Sequence, residues 1–284
     1  MLQAATEAYK DSRQIGIIGP PRCGKTVVAG LLYDAIVNKF LPDNPNYRLQ
    51  VENGLDFLQK TMLALKKGEF PVKTPAEEIN KVEMVLSQEL ATGRGIEIKL
   101  HDVVGEVYKD LYIQEVDTNE RLYRTLERGR GKKPFGDTGF LIYCKLYVIL
   151  VDCAEFQNWA QISYDNVKLV TAIRQWKEGI KGVTGGKIKT PIAVMFAKID
   201  LLDEENRKKA GEDLMKEYMR EFYEQLKATT DAPLDFFNTY LEIERDSPNK
   251  PALTEDGNFK VKNPIKYSQD EYVKFISWVD RSMK

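Results

Sequence analysis

The chain has 284 residues, 43% of them hydrophobic and 30% charged, enough apolar material for one large domain or two small ones. Its 42 basic and 43 acidic residues leave a net charge of −1, which argues against nucleic acid or an anionic membrane surface as the main partner. The three cysteines, Cys23, Cys144 and Cys153, lack metal-ligand spacing and fit a reducing compartment. No segment approaches the roughly 18 apolar residues of a membrane span, and no secretory leader is evident, so a cytoplasmic protein without membrane insertion is expected.

Taken in chain order, Ile15, Ile17 and Ile18 read as a buried strand. "GPPRCGKT" comes next at 19–26, and then Val28, Leu31, Leu32, Ala35 and Ile36 recur at helical spacing. Gly19, Gly24, Lys25 and Thr26 match G-x-x-x-x-G-K-[ST], whose chemistry is anion binding. Glycines let successive backbone N–H groups curl around phosphate oxygens, a lysine reaches the outer phosphates, and the last hydroxyl holds Mg²⁺. The loop also delivers the anion to a helix N-terminus, where unpaired N–H groups and the helix dipole favour negative charge. A chance glycine-rich turn is the competing reading, and the order strand, loop, helix argues against it. Within the loop, Pro20, Pro21, Arg22 and Cys23 are the variable positions. Arg22 either adds positive charge at the phosphates or points to solvent, and Cys23 is either a low-pKa thiol or a filler.

"LPDNPNYR" is turn-rich and ends the first helix, and 55–67 reads as an amphipathic helix carrying Leu55, Leu58, Met62 and Leu65. Alternation at Val82, Met84 and Leu86, and again at Ile96, Ile98 and Leu100, predicts a hairpin with an antiparallel edge strand. Helix is expected in part of 106–128, with a basic, glycine-rich loop after it at 128–139. "LYVILVD" (146–152) and "IAVMF" (192–196) are continuous apolar runs, as parallel strands buried on both faces require. The expected helices are one with Val170, Ile173, Trp176 and Ile180 on a single side, one over 204–228, and a closing helix opened by a Ser268–Glu271 capping box. "FFNTYLEI" (236–243) is the expected last strand.

Two further motifs say what the loop binds. Asp102 ends a strand in "DVVGE", and ligands in α/β sheets sit outside the carboxyl ends of strands. Asp102 is thus placed to hold Mg²⁺ opposite Thr26, and Gly105 lets a backbone N–H approach a terminal phosphate. A solvated aspartate and a turn glycine are the alternative. "AKID" (197–200) comes directly after a buried strand. With these motifs in this order the sequence resembles the P-loop GTPases of the Ras-like, translation-factor-related class, and more faintly its double-GTPase-type members. The resemblance implies that Lys198 lies along a guanine base and that the Asp200 carboxylate accepts from the ring N–H and the amino group. It also implies that a switch threonine, Thr74 in "FPVKTPAEE", joins Thr26 and Asp102 at the metal. Three departures stand out. Ala197 replaces the motif's asparagine, Glu106 stands where a water-positioning glutamine is frequent, and residues 41–69 are an insertion.

The expected fold is a three-layer α/β arrangement, a mostly parallel six-stranded sheet with one antiparallel edge strand and helices on both faces, within a single GTPase-like domain. The expected function is binding of GTP or GDP with Mg²⁺ and slow hydrolysis with Lys25, Gly105 and Glu106 in catalytic roles. The expected partner is a protein effector or activating protein. A nucleotide-dependent interaction module with negligible turnover and a P-loop ATPase or kinase are the alternatives. The lone histidine, His101, is assigned no role.

Overall fold

The computed structural model describes residues 14–20, 23–71, 80–88, 95–102, 144–181, 186–209, 211–247, 250–255 and 257–283. Pro21, Arg22, Thr74, Gly105 and Glu106 lie outside them, as do the helix expected in 106–128 and the basic loop after it.

Four strands form the parallel sheet: β1 (Ile15–Ile18), β5 (Leu146–Asp152), β6 (Ile192–Ala197) and β7 (Leu234–Asn238), hydrogen-bonded in that order. Every residue of β1, β5 and β6 is buried, as their unbroken apolar runs predict. A second, antiparallel sheet contains β2 (Tyr47–Asn53), β3 (Asn80–Gln88) and β4 (Gly95–Asp102), and β4 lies beside β1. The expected hairpin is therefore present, with Val82 opposite Leu100 and Met84 opposite Ile98. The expected set of six strands in one sheet is resolved into two hydrogen-bonded sheets. The strand added is β2, whose Tyr47, Leu49 and Val51 alternate with Arg48, Gln50 and Glu52.

Helices cover both faces. On one side, α1 (Lys25–Ala35), α2 (Leu55–Lys66) and α7 (Gln269–Ser282) pack Leu31, Leu32, Leu58, Phe275 and Ile276 against Ile15, Val148 and Met195. On the other, α3 (Trp159–Lys181), α5 (Gly211–Tyr218) and α6 (Arg220–Thr229) bring Val170, Ile173, Met215 and Phe222 against Ile149, Val194 and Phe196. Side chains of this kind contribute about 1.5–3 kcal/mol each when fully buried. The two cores therefore hold the sheet's strand ends rigidly.

Local departures have local causes. The helix expected over 204–228 is three pieces: α4 (Glu204–Arg207), α5 and α6. The break before α6 falls at Met219, whose φ of −132° and ψ of 45° are not helical and whose side chain is fully buried. The capping box at 268–271 does not form. Ser268 Oγ instead accepts from Tyr240 N at 3.0 Å and Glu271 Oε2 accepts from Asn238 N at 3.0 Å. Both side chains satisfy the backbone that leaves β7 rather than their own helix. The last strand, β7, begins before "FFNTYLEI" and stops at Asn238, and a short β8 (Arg245–Ser247) and β9 (Lys250–Pro251) pair after it. No helix among the described residues is long and apolar enough to cross a membrane.

Candidate functional site

β1, β5 and β6 run parallel and end at one edge, with Ile18 opposite Ile149 and Asp152 opposite Ala197. Their shared direction brings three connections together there: the 19–26 loop after β1, the turn at 153–158 after β5, and Lys198–Asp200 after β6. Asp102 closes β4, beside β1.

The loop after β1 turns because of two glycines with different duties. Gly24 has φ 98° and ψ 20°, a left-handed conformation that L side chains rarely adopt, and it is the N-cap of α1. Gly19 is a packing glycine. A Cβ there would lie 2.6 Å from Cys23 Sγ and 3.0 Å from Leu150 Cβ, so the loop crosses the end of β5 with no room for a side chain. The Lys25 side chain folds back over this loop, its Nζ donating to the carbonyls of Gly19 at 3.0 Å and Pro20 at 2.9 Å. It is 7% exposed, so a buried cation sits where the strand hands over to the helix. Thr26 is the second residue of α1 and half-buried. Burial pushes the Cys23 thiol up despite the nearby Lys25 and Lys198, so it is a neutral filler rather than a reactive thiolate.

On the other side of the edge, Lys198 is the one non-glycine residue with positive φ among the described residues, at φ 61° and ψ 32°. Its Nζ meets Asp152 Oδ2 at 2.6 Å, and Asp152 Oδ1 accepts from Ala154 N at 2.9 Å. Asp152 is 6% exposed. The turn is tied from behind, where Ile199 N donates to Thr239 O at 3.2 Å, while Thr239 N and Oγ1 both donate to Phe196 O. From outside, Arg245 Nη2 donates to the Asp200 carbonyl oxygen at 2.8 Å. Burial raises the Asp200 carboxyl to about 6, opposed by its own backbone N–H and by Arg245 and Arg207. The Cys153 thiol is likewise raised, by burial first and then by the negative charges of Asp152 and Asp200.

Gly19, Pro20, Cys23, Gly24, Lys25, Thr26, Lys198 and Asp200 are thus all at the carboxyl edge that their motifs require. Three further residues at this edge carry no motif of their own. Asp152 ends β5 as Asp102 ends β4, and the strand-end rule that selects one applies equally to the other. Thr239 and Arg245 act through long-range contacts that leave no local pattern.

Residues 13–254 match the family described as Double-GTPase 2, and the chain belongs to that family. It is a P-loop GTPase of the double-GTPase type, and so a guanine-nucleotide-binding protein. No curated protein matches the chain. Among solved structures it is similar to a nucleolar GTP-binding protein of Plasmodium falciparum, at 11% identity and a TM-score of 0.36 over 81% of this chain and 77% of that one. It is also similar to the signal recognition particle receptor SRb-GTP/SRX complex of Chaetomium thermophilum, at 13% identity and a TM-score of 0.38 over 80% of this chain and 90% of that one. Likeness of that depth adds nothing to the family match.

Proposed function

We propose that this protein is a cytoplasmic, Mg²⁺-dependent GTPase that turns over slowly by itself and controls a protein partner through its nucleotide state. The observation that supports the reading most is the shared edge: the Lys25 loop and the Lys198–Asp200 turn leave strands separated only by β5.

In this reading the phosphates lie against the loop's backbone N–H groups and the start of α1. The Lys25 ammonium, already held over the loop by two carbonyls, offsets charge on the outer phosphates. The Thr26 hydroxyl and the Asp102 carboxylate are hard oxygen donors on elements flanking the loop, the donor type Mg²⁺ prefers. They would hold the ion, with Thr74 as the switch ligand, and the ion would neutralise charge on the outer phosphates. The Lys198 stem covers one face of the base. Asp200 accepts the ring N–H and the exocyclic amine of guanine, a pair of donors that adenine lacks. A carboxylate at Glu106, next to Gly105 and in place of the frequent glutamine, would orient water less well than a neutral amide, and turnover would be slow as a result.

Asp200→Asn tests the base assignment. It exchanges an acceptor oxygen for a donor, so the variant should lose GTP and gain xanthosine triphosphate, which carries a carbonyl in place of the amine. Sites built on buried hydrogen bonds reject mismatched analogues by up to roughly 10⁴-fold, and the Ala197 methyl should leave the reversal smaller. An unchanged ratio of the two affinities would remove Asp200 from base recognition.

A further inference from the structure

We propose that Asp152 is the positioning residue of the base-reading turn, holding Lys198 in its left-handed conformation and so setting the register of Asp200 against the guanine edge. This rests on the guanine reading above and adds to it a residue that lies in none of the three nucleotide motifs.

Lys198 needs holding. A lysine has no intrinsic reason to adopt φ 61°, because its Cβ crowds the following carbonyl there. The motif's usual brace is also missing. An asparagine before this lysine would place an amide at the β6 end, whereas Ala197 offers a methyl group. Asp152 supplies a tie from the adjacent strand. Register puts it directly opposite Ala197. One carboxylate oxygen is pinned by the Ala154 N–H at 2.9 Å, which orients the other onto Lys198 Nζ at 2.6 Å. The carboxylate is nearly buried, so water competes little for the pair. Two further ties act one and two residues further on, through the Ile199 N–H to Thr239 and the Asp200 carbonyl to Arg245. They fix where the turn goes, and Asp152 fixes how it begins.

The test uses the full chain and calorimetric titration with GTP, ATP and inosine triphosphate, which lacks the exocyclic amine. The GTP-to-inosine ratio reads the alignment of Asp200, which a general loss of stability does not move. Asp152→Asn keeps the shape and removes the charge. It should weaken GTP roughly tenfold, the effect of losing a charge-assisted hydrogen bond, and compress the ratio; the pair is also present without nucleotide, so the melting temperature should fall too, and the ratio is the deciding readout. In a Lys198→Met background the same substitution should change the ratio no further, because the two side chains act as one unit. A parental ratio in Asp152→Asn, or an equal drop in the Lys198→Met background, would overturn the assignment. If Asp152→Asn does not fold, Asp152→Glu displaces the carboxylate by one methylene and should also compress the ratio; a parental ratio there would overturn it too. The parent's own preference for GTP over ATP tests the guanine reading separately. A parent indifferent to the base removes both claims, whereas a selective parent whose Asp152→Asn variant keeps the parental ratio removes only this one.

Discussion

In the proposed reading Asp200 must be an anion to accept two N–H groups from guanine, yet burial brings its carboxyl up to about 6. The consequences for stability and for binding have opposite signs. The folded chain holds this proton more tightly than the unfolded chain, whose value is near the usual 3.8, so the group's contribution to stability is complete below 3.8 and is lost as pH rises through about 6. Guanine binding needs the deprotonated form and weakens as pH falls through the same window, by roughly tenfold per unit below about 6. The ratio of GTP to ATP affinity cancels titration of the phosphates themselves. It should be flat from pH 8 to 7 and decline between pH 6 and 5. A ratio that stays constant down to pH 5 would mean that Asp200 does not carry the discrimination. The sequence identifies this residue through the "AKID" motif, but its titration comes from burial and from Arg245 and Glu242, contacts no local pattern announces.

The loop after β1 makes a distinction that the motif does not. Gly19 and Gly24 occupy fixed positions of the same pattern, yet an alanine fails at each for a different reason. At Gly19 the new methyl meets Cys23 Sγ at 2.6 Å, and overpacking of this kind costs about 1–3 kcal/mol. At Gly24 there is open space around the Cβ, and the penalty is backbone strain at φ 98°, about 1–2 kcal/mol. Both substitutions should lower the melting temperature and weaken nucleotide binding. Only the first should be partly relieved by a second substitution, Cys23→Ala, which removes the clashing sulfur. Equal relief at both positions, measured by thermal unfolding, would contradict the assignment of separate duties. Elements with strong periodicity were legible in advance: α1, α2, β5, β6 and the β3–β4 hairpin lie where their apolar spacing puts them. The break at Met219 and the unformed capping box at Ser268 were not. In each case a tertiary demand, burial of Met219 or pairing of the backbone after β7, overrides a local preference.

At the scale of the molecule, two apolar cores on opposite faces of one sheet align the ends of β1, β5 and β6, and the functional edge is a by-product of that alignment. The order of three short motifs along the chain was enough to name the fold class, because parallel strands joined by helices must bring their carboxyl ends together. β2 and the β8–β9 pair leave little signal in the sequence. β2 alternates over seven residues behind a turn-rich stretch, and β8 and β9 are too short to have a period. β8 nevertheless supplies Arg245 to the Lys198–Asp200 turn, so a piece outside the motif-bearing scaffold braces the proposed site.

The central claim is that this edge binds guanine nucleotides in preference to others. Thermal unfolding of the full chain with Mg²⁺ and GTP, GDP, ATP or no nucleotide tests it most directly, because a ligand at one hundred times its dissociation constant adds about 2.7 kcal/mol of stability. GTP and GDP should raise the melting temperature by several degrees, and ATP at the same concentration should leave it near the nucleotide-free value. Equal shifts with ATP and GTP, or no shift with any nucleotide, would contradict the account.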